Sequence, residues 1–458
     1  MAAPWLFLVP LALRRRTRLL LACLSPAVSL MVLGGPFTQI GIAQLGLPAT
    51  VVATLVALHP LTAIARPWFG RLSDRFPFWG YRRSGYLRAA LFGSWVVFPL
   101  PLLGLLALGR LWPEASPALR LLALAGEGLL VVLLGLANQL IHTMVSTLLL
   151  EITPLPERGR ALVELWLVQS CGLVVLAGIT GLLLRQWQAW PLAHQLLGVW
   201  LCWGSLLVPL VLWSVKGLES RQAGVPHGGA LPVLATPAES QLRPVASWAP
   251  AGFVDIALFS FLLVVQSALF VQEVLLDPFA TERFGWTLSR TTLLGGIWAV
   301  GSVAGLLVGE RWPWLRRGGC PGTALGYGLL VAGSLGLQLL PFPLPVLLLG
   351  CSAGLVQGWM AHQIGRRCRG DHLGEQAGVW GAAVVLCRSL GLLLAGLLFD
   401  LPSRLLGFSH GPSYAFAFAV AALMALIGIL LAAPVARFTP RGPSGFAASE
   451  CGEKAQEQ

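Results

Sequence analysis

The sequence predicts an all-α membrane protein of twelve transmembrane helices, built as two six-helix bundles with both termini in the cytoplasm. Three observations predict it. Hydrophobic residues make up 56% of the 458 and charged residues 11%, with a mean hydropathy of +0.77, a balance that soluble globular domains do not show. Apolar stretches of about 20 residues, the length that crosses a bilayer core as a helix, recur from one end to the other. Basic residues gather on one side of those stretches.

The first span is read over 19–43, behind a basic N-terminal segment, 1–18. There, apolar residues 5–13 precede Arg14, Arg15, Arg16 and Arg18, the reverse of a cleaved signal peptide, and this order fits a segment lying on the membrane surface. The second span, 49–70, carries His59 before Pro60, and the third, 86–109, follows a basic loop. The fourth, 121–149, carries Glu127, Asn138 and His142 at spacings of 11 and 4, on one side of a helix. Spans 160–184 and 192–215 complete the bundle 19–215. The interval 216–250, rich in Pro, Gly and Ser, reads as a flexible cytoplasmic linker. The second bundle, 251–435, holds spans 252–276, 288–309, 323–340, 343–364, 374–399 and 412–434, the ninth and tenth meeting at Pro341-Phe342-Pro343. The tail, 436–458, reads as disordered.

With the N-terminus inside, 24 of the 31 basic residues fall in cytoplasmic segments, Arg66, Arg71, Arg75, Arg82 and Arg83 among them, and Arg388 alone lies deep in a span. The net charge of +12 is therefore topology and contact with anionic lipid headgroups, and it argues against nucleic acid as a partner. Eight scattered cysteines without a C-x-x-C pair point to neither a disulfide framework nor a metal cluster. No phosphate-binding glycine loop, metal-ligand cluster or nucleophile–base pair is visible, so the sequence reads as a non-enzyme.

Between spans two and three stands Gly70-Arg71-Leu72-Ser73-Asp74-Arg75, followed by Gly80-Tyr81-Arg82-Arg83. This resembles the loop signature of the major facilitator superfamily, whose two six-helix halves rock about a central cavity. A Gly permits close helix approach, an Asp can face a helix N-terminus, and arginines pair nearby, with Asp74 and Arg75 expected to govern packing between the halves. Gly309-Glu310-Arg311 is a weak echo of the same loop in the second half.

Polar residues in spans mark function, because they cost most there. On span seven Asp255, Gln266, Glu273 and Asp277 fall within about a 40° stripe of one helix, with Pro278 expected to end that helix near Asp277. Gln266, Glu127, Asn138 and Arg388 are expected to line the cavity. An arginine cannot shed its proton, so Arg388 requires an acid, a carbonyl or water, and span seven is the expected source. His59 and His142 are hydrogen-bonded interior residues or axial ligands for a macrocycle-bound magnesium, and His362, nearer the cytoplasm, is the weaker candidate.

Gln272-Glu273-Val274-Leu275-Leu276-Asp277-Pro278-Phe279, then Phe284-Gly285 and Thr291-Thr292, resembles the seventh-span signature of the PucC-like, or bacteriochlorophyll delivery, family of facilitators. Leu45-Gly46-Leu47-Pro48-Ala49 and Ser73-Asp74 through Trp79-Gly80-Tyr81-Arg82-Arg83 are similar to two further segments of that family. Ala280-Thr281 and Arg290 depart from it. The resemblance implies a factor that delivers chlorophyll or bacteriochlorophyll to, or chaperones, antenna or photosystem polypeptides in a photosynthetic membrane. No resident cofactor is certain. An apolar cavity lined from the eighteen tryptophans and twenty phenylalanines would suit a tetrapyrrole. Two other readings stay open: a proton-coupled small-solute transporter using Glu127, Glu273 or Glu164, and a scaffold acting through surface tryptophans.

Overall fold

The computed structural model describes residues 11–219, 266–312, 315, 321–340, 342–368 and 373–438. Most of the predicted linker, the stretch 252–265 with Asp255, and the tail beyond 438 lie outside the described residues. The first half contributes α1 (Arg15–Gln44), α2 (Ala49–Arg75), α3 (Ser84–Leu111), α4 (Pro117–Glu151), α5 (Leu155–Gln186) and α6 (Leu192–Val215). The second contributes α7 (Val271–Phe284), α8 (Leu288–Arg311), α9 (Pro321–Leu339), α10 (Leu344–Arg367), α11 (Leu373–Leu406) and α12 (His410–Phe438). Among the described residues ten helices are long and apolar enough to cross a membrane. Large apolar side chains such as Leu121 and Leu182 stay exposed on the outer surface, as lipid contact requires.

Several helices overrun their apolar stretches. α4 begins at Pro117, where the Ser116 hydroxyl accepts from the Leu119 amide at 3.3 Å, and α11 continues past residue 399 to Leu406. Hydropathy marks where side chains turn polar, whereas the helix ends only where its backbone finds other partners.

Span seven needs correcting. A 3-10 turn over Ser267–Leu269 interrupts it, and α7 then runs through Pro278 to Phe284. Pro278 does not end the helix. It forfeits one backbone bond, the Thr281 hydroxyl donates to the Asp277 carbonyl at 3.0 Å, and the stop comes at Gly285, whose φ of +63° suits a residue without a Cβ. The 3-10 turn also advances the chain faster than 100° per residue, so Gln266 falls out of phase with Glu273 and Asp277.

The halves meet chiefly along α2 on α11 and along α5, which packs on both α8 and α10. Small residues let them touch. A Cβ on Gly70 would stand 2.0 Å from the Gly374 carbonyl, and one on Gly378 would stand 2.6 Å from the Arg66 carbonyl. Within the second half α8 locks onto α10 through Gly301-x-x-x-Gly305 against Gly350-x-x-x-Gly354, with a Cβ on Gly350 only 1.9 Å from the Trp298 carbonyl. α1 is broken within its apolar stretch at Gly34-Gly35-Pro36 and winds as a π-helix over Ile40–Gln44.

Candidate functional site: a central polar-edged cavity

A cavity of about 230 Å³ lies between the halves, walled by α1, α2, α4, α5, α7, α8, α10 and α11 and mostly apolar. Its first polar edge is the span-seven motif. Glu273 and Arg388 form a two-point ion pair, with Nε donating to Oε2 at 2.8 Å and Nη2 to Oε1. The break in α1 accommodates that pair: a Cβ on Gly34 would stand 2.7 Å from Glu273 Oε1, and one on Gly35 would stand 2.7 Å from Asp277 Oδ2. Asp277 is only 4% exposed and lines the cavity, and its carboxylate accepts no hydrogen bond among the described residues. Gln272 borders the cavity and meets the Ser334 hydroxyl at 2.6 Å.

His59 and His142 also border the cavity. The Asn138 amide donates to His59 Nε2 at 3.0 Å and accepts from the Ser94 hydroxyl at 3.0 Å, so that ring nitrogen is engaged. The His142 ring has no hydrogen-bond partner among the described residues.

Three residues expected on the cavity wall are not on it. On α4 the wall is built by Gln139, His142, Ser146 and Leu150. Glu127 and Asn138 share a face, but that face is turned about 100° away, toward α3. Asn138 acts on the cavity only through His59, and Glu127 is buried against Gly104 of α3. Gln266 is fully buried in helix packing, displaced by the 3-10 turn. Glu164, a candidate proton site, pairs with Arg16 at 2.6 Å instead, and His362 meets Glu310 at 2.6 Å.

The largest correction concerns Arg66. Counted with the loops by charge, it is 7% exposed and lines the cavity, its Nε donating to Gln139 Oε1 at 2.8 Å. The sequence signal is its position inside the apolar stretch 49–70, four residues before Gly70. Gly34-Gly35-Pro36 was equally legible as a helix-breaking triplet in the middle of span one.

Below the cavity, the loop between α2 and α3 turns through Trp79 and Gly80, both at positive φ, with Phe78 and Tyr81 exchanging backbone hydrogen bonds. This sends Arg83 inward, where it is fully buried and bonded to Ser73, Asp74 and Glu151. Arg82 joins at 3.2 Å from Asp74. Arg75, expected to act with Asp74, is exposed, and the inward role belongs to Arg83.

A family model described as PUCC protein matches residues 38–439. "Protein PucC" of Rhodobacter capsulatus is 24% identical over 445 residues, 93% of each chain. "Bacteriochlorophyll synthase 44.5 kDa chain" of the same species is 28% identical, covering 94% of this chain and 97% of its own. Among solved structures, the human organic anion transporter MFSD10 superposes with a TM-score of 0.57 at 13% identity, covering 92% of this chain and 99% of its own. A bacterial homologue of the iron transporter ferroportin gives 0.55 at 16% identity, covering 93% and 98%. These likenesses establish the facilitator fold of a multi-pass membrane protein.

Proposed function

The chain belongs to the PUCC protein family, and from that premise we propose that it is an assembly factor for light-harvesting or photosystem pigment-proteins, handling chlorophyll or bacteriochlorophyll without chemistry of its own. One observation carries the reading: the residues of the span-seven motif, Glu273 and Asp277, are the polar edge of the central cavity, set over the break in α1. Few polar groups on an otherwise apolar wall suit an amphiphile such as a tetrapyrrole. The cavity, about 230 Å³, is smaller than the roughly 300–1,000 Å³ of ligand pockets, so in this reading the halves part to admit pigment.

In this reading His142, not His59, supplies the axial nitrogen for the pigment's magnesium, because Asn138 engages His59 Nε2. Antenna or photosystem polypeptides are the receiving partners. The protein purified in mild detergent is then expected to carry extractable tetrapyrrole and to lose most of it in His142→Leu. A colourless wild-type protein that also captures no antenna polypeptide would overturn the reading. The alternative, a proton-coupled solute carrier, draws support from Asp277, a cavity carboxylate with no hydrogen-bond partner among the described residues.

A further inference from the structure

The cavity holds two arginines in opposite situations. Arg388 is matched by Glu273, whereas Arg66, 93% buried by its 7% exposure, has no carboxylate partner among the described residues. Its one described side-chain bond is from Nε to Gln139, which leaves the four N–H groups of its two terminal nitrogens unclaimed there. Gly381 of α11 clears the space for them, since a Cβ there would stand 2.4 Å from Nη1. His142 stands one turn along α4 from Gln139, the residue that Arg66 contacts, and both line the cavity, while Glu273 and Asp277 stand on α7. A guanidinium cannot neutralise itself by losing a proton, and burying one unmatched is costly.

We propose that Arg66 is the anchor for the carboxylate of an amphiphilic ligand, whose apolar body lies against Trp166, Leu162 and Trp298. The planar guanidinium fork donates two parallel hydrogen bonds to a carboxylate. A phosphate dianion offers similar geometry but would bring a second charge into a mostly apolar chamber where, among the described residues, the other lining arginine, Arg388, is already paired with Glu273. This inference rests on the pigment-handling reading and narrows it: the preferred cargo is a tetrapyrrole with an unesterified propionate.

The test compares a chlorin bearing one free propionate with its methyl ester, each titrated into the full-length protein in detergent and read by fluorescence polarisation, with phosphatidic acid as a competitor. The free acid is expected to bind about tenfold tighter than the ester or better, as a charge-assisted bidentate pair implies. Arg66→Gln should erase that preference while ester affinity stays, and Arg66→Lys, which keeps the charge but loses the fork, should retain part of it. Equal affinity for acid and ester in the wild type overturns the anchor while leaving pigment handling intact. That comparison needs no variant, so a poorly folding Arg66→Gln protein does not shelter the proposal. Displacement of the acid by phosphatidic acid at equal concentration identifies a lipid headgroup site and overturns the carboxylate assignment. Binding of neither chlorin overturns both it and the reading beneath it.

Discussion

Two aspartates, one at each end of the α2–α11 contact, face the N-terminus of the helix opposite, and they spend their charge differently. Asp400 of α11 accepts from the Thr50 amide at 2.8 Å and the Thr50 hydroxyl at 2.6 Å, capping α2, whose own N-cap residue, Pro48, supplies no side-chain bond. Asp74 of α2 stands beside Gly374 at the start of α11, but the bonds it accepts come from Arg82 and Arg83 of its own loop. One end is closed by a cap donated between halves. The other is closed by backbone laid on backbone, Gly70 on Gly374 and Gly159 on Gly365, above a loop that a buried ion network holds in shape. The lesson is that the same residue at pseudo-equivalent places serves as a direct clasp in one and as the keystone of a loop in the other.

The largest test of that difference is Asp74→Ala. It leaves the guanidinium of the fully buried Arg83 with Glu151 as its remaining carboxylate, and removing one partner of a buried pair costs roughly 3–5 kcal/mol. With Glu151 still at 2.9 Å, the loss should sit at the low end of that range, read as a lowered midpoint of thermal unfolding in detergent. An Asp74→Ala protein as stable as wild type would mean that Asp74 is not the keystone.

Asp400→Ala comes next. Loss of an N-cap costs about 0.5–2 kcal/mol, so the midpoint should fall less than for Asp74→Ala. The sharper readout is access. Gly295 lies on the cavity wall with open space where a Cβ would stand, so Gly295→Cys is a benign reporter. In that background Asp400→Ala should speed labelling by an impermeant thiol reagent from the Asp400 face and leave the other face unchanged. Faster labelling from both faces would mean that the two ends are not independent closures.

Much of this is legible in the sequence. Apolar stretches of membrane-spanning length placed the helices, because a bilayer imposes a length rule on sequence directly. The span-seven motif and Arg388 stood out because ionisable groups in hydrocarbon are rare. What failed was phase and depth. A 3-10 turn of three residues moved Gln266 off its stripe, and a rotation of one helix face took Glu127 and Asn138 from the cavity to the α3 interface. Arg66 was lost because charge counting treats every arginine near a span end as loop, whereas packing against Gly378 and Gly381 draws this one inside. Rotation and depth are set by neighbours, and one sequence read alone holds no neighbours.

The smallest expected effect belongs to Arg71→Gln, and it sharpens the comparison through salt. The Arg71–Glu375 pair crosses between the halves at 2.5 Å, beside the Gly70–Gly374 contact, yet both side chains keep 30% and 22% of their exposure. Partly wet pairs contribute about 1 kcal/mol or less, so the midpoint should drop only slightly in dilute buffer. At about 1 M salt, where charges are screened beyond roughly 3 Å, the difference from wild type should vanish. The Asp74→Ala deficit should persist under the same salt, because ions do not reach the fully buried Arg83. If the Arg71→Gln deficit also persists, the pair is desolvated by the glycine contact beside it. The basic end would then be clasped between the halves by charge as well as by backbone, as the opposite end is.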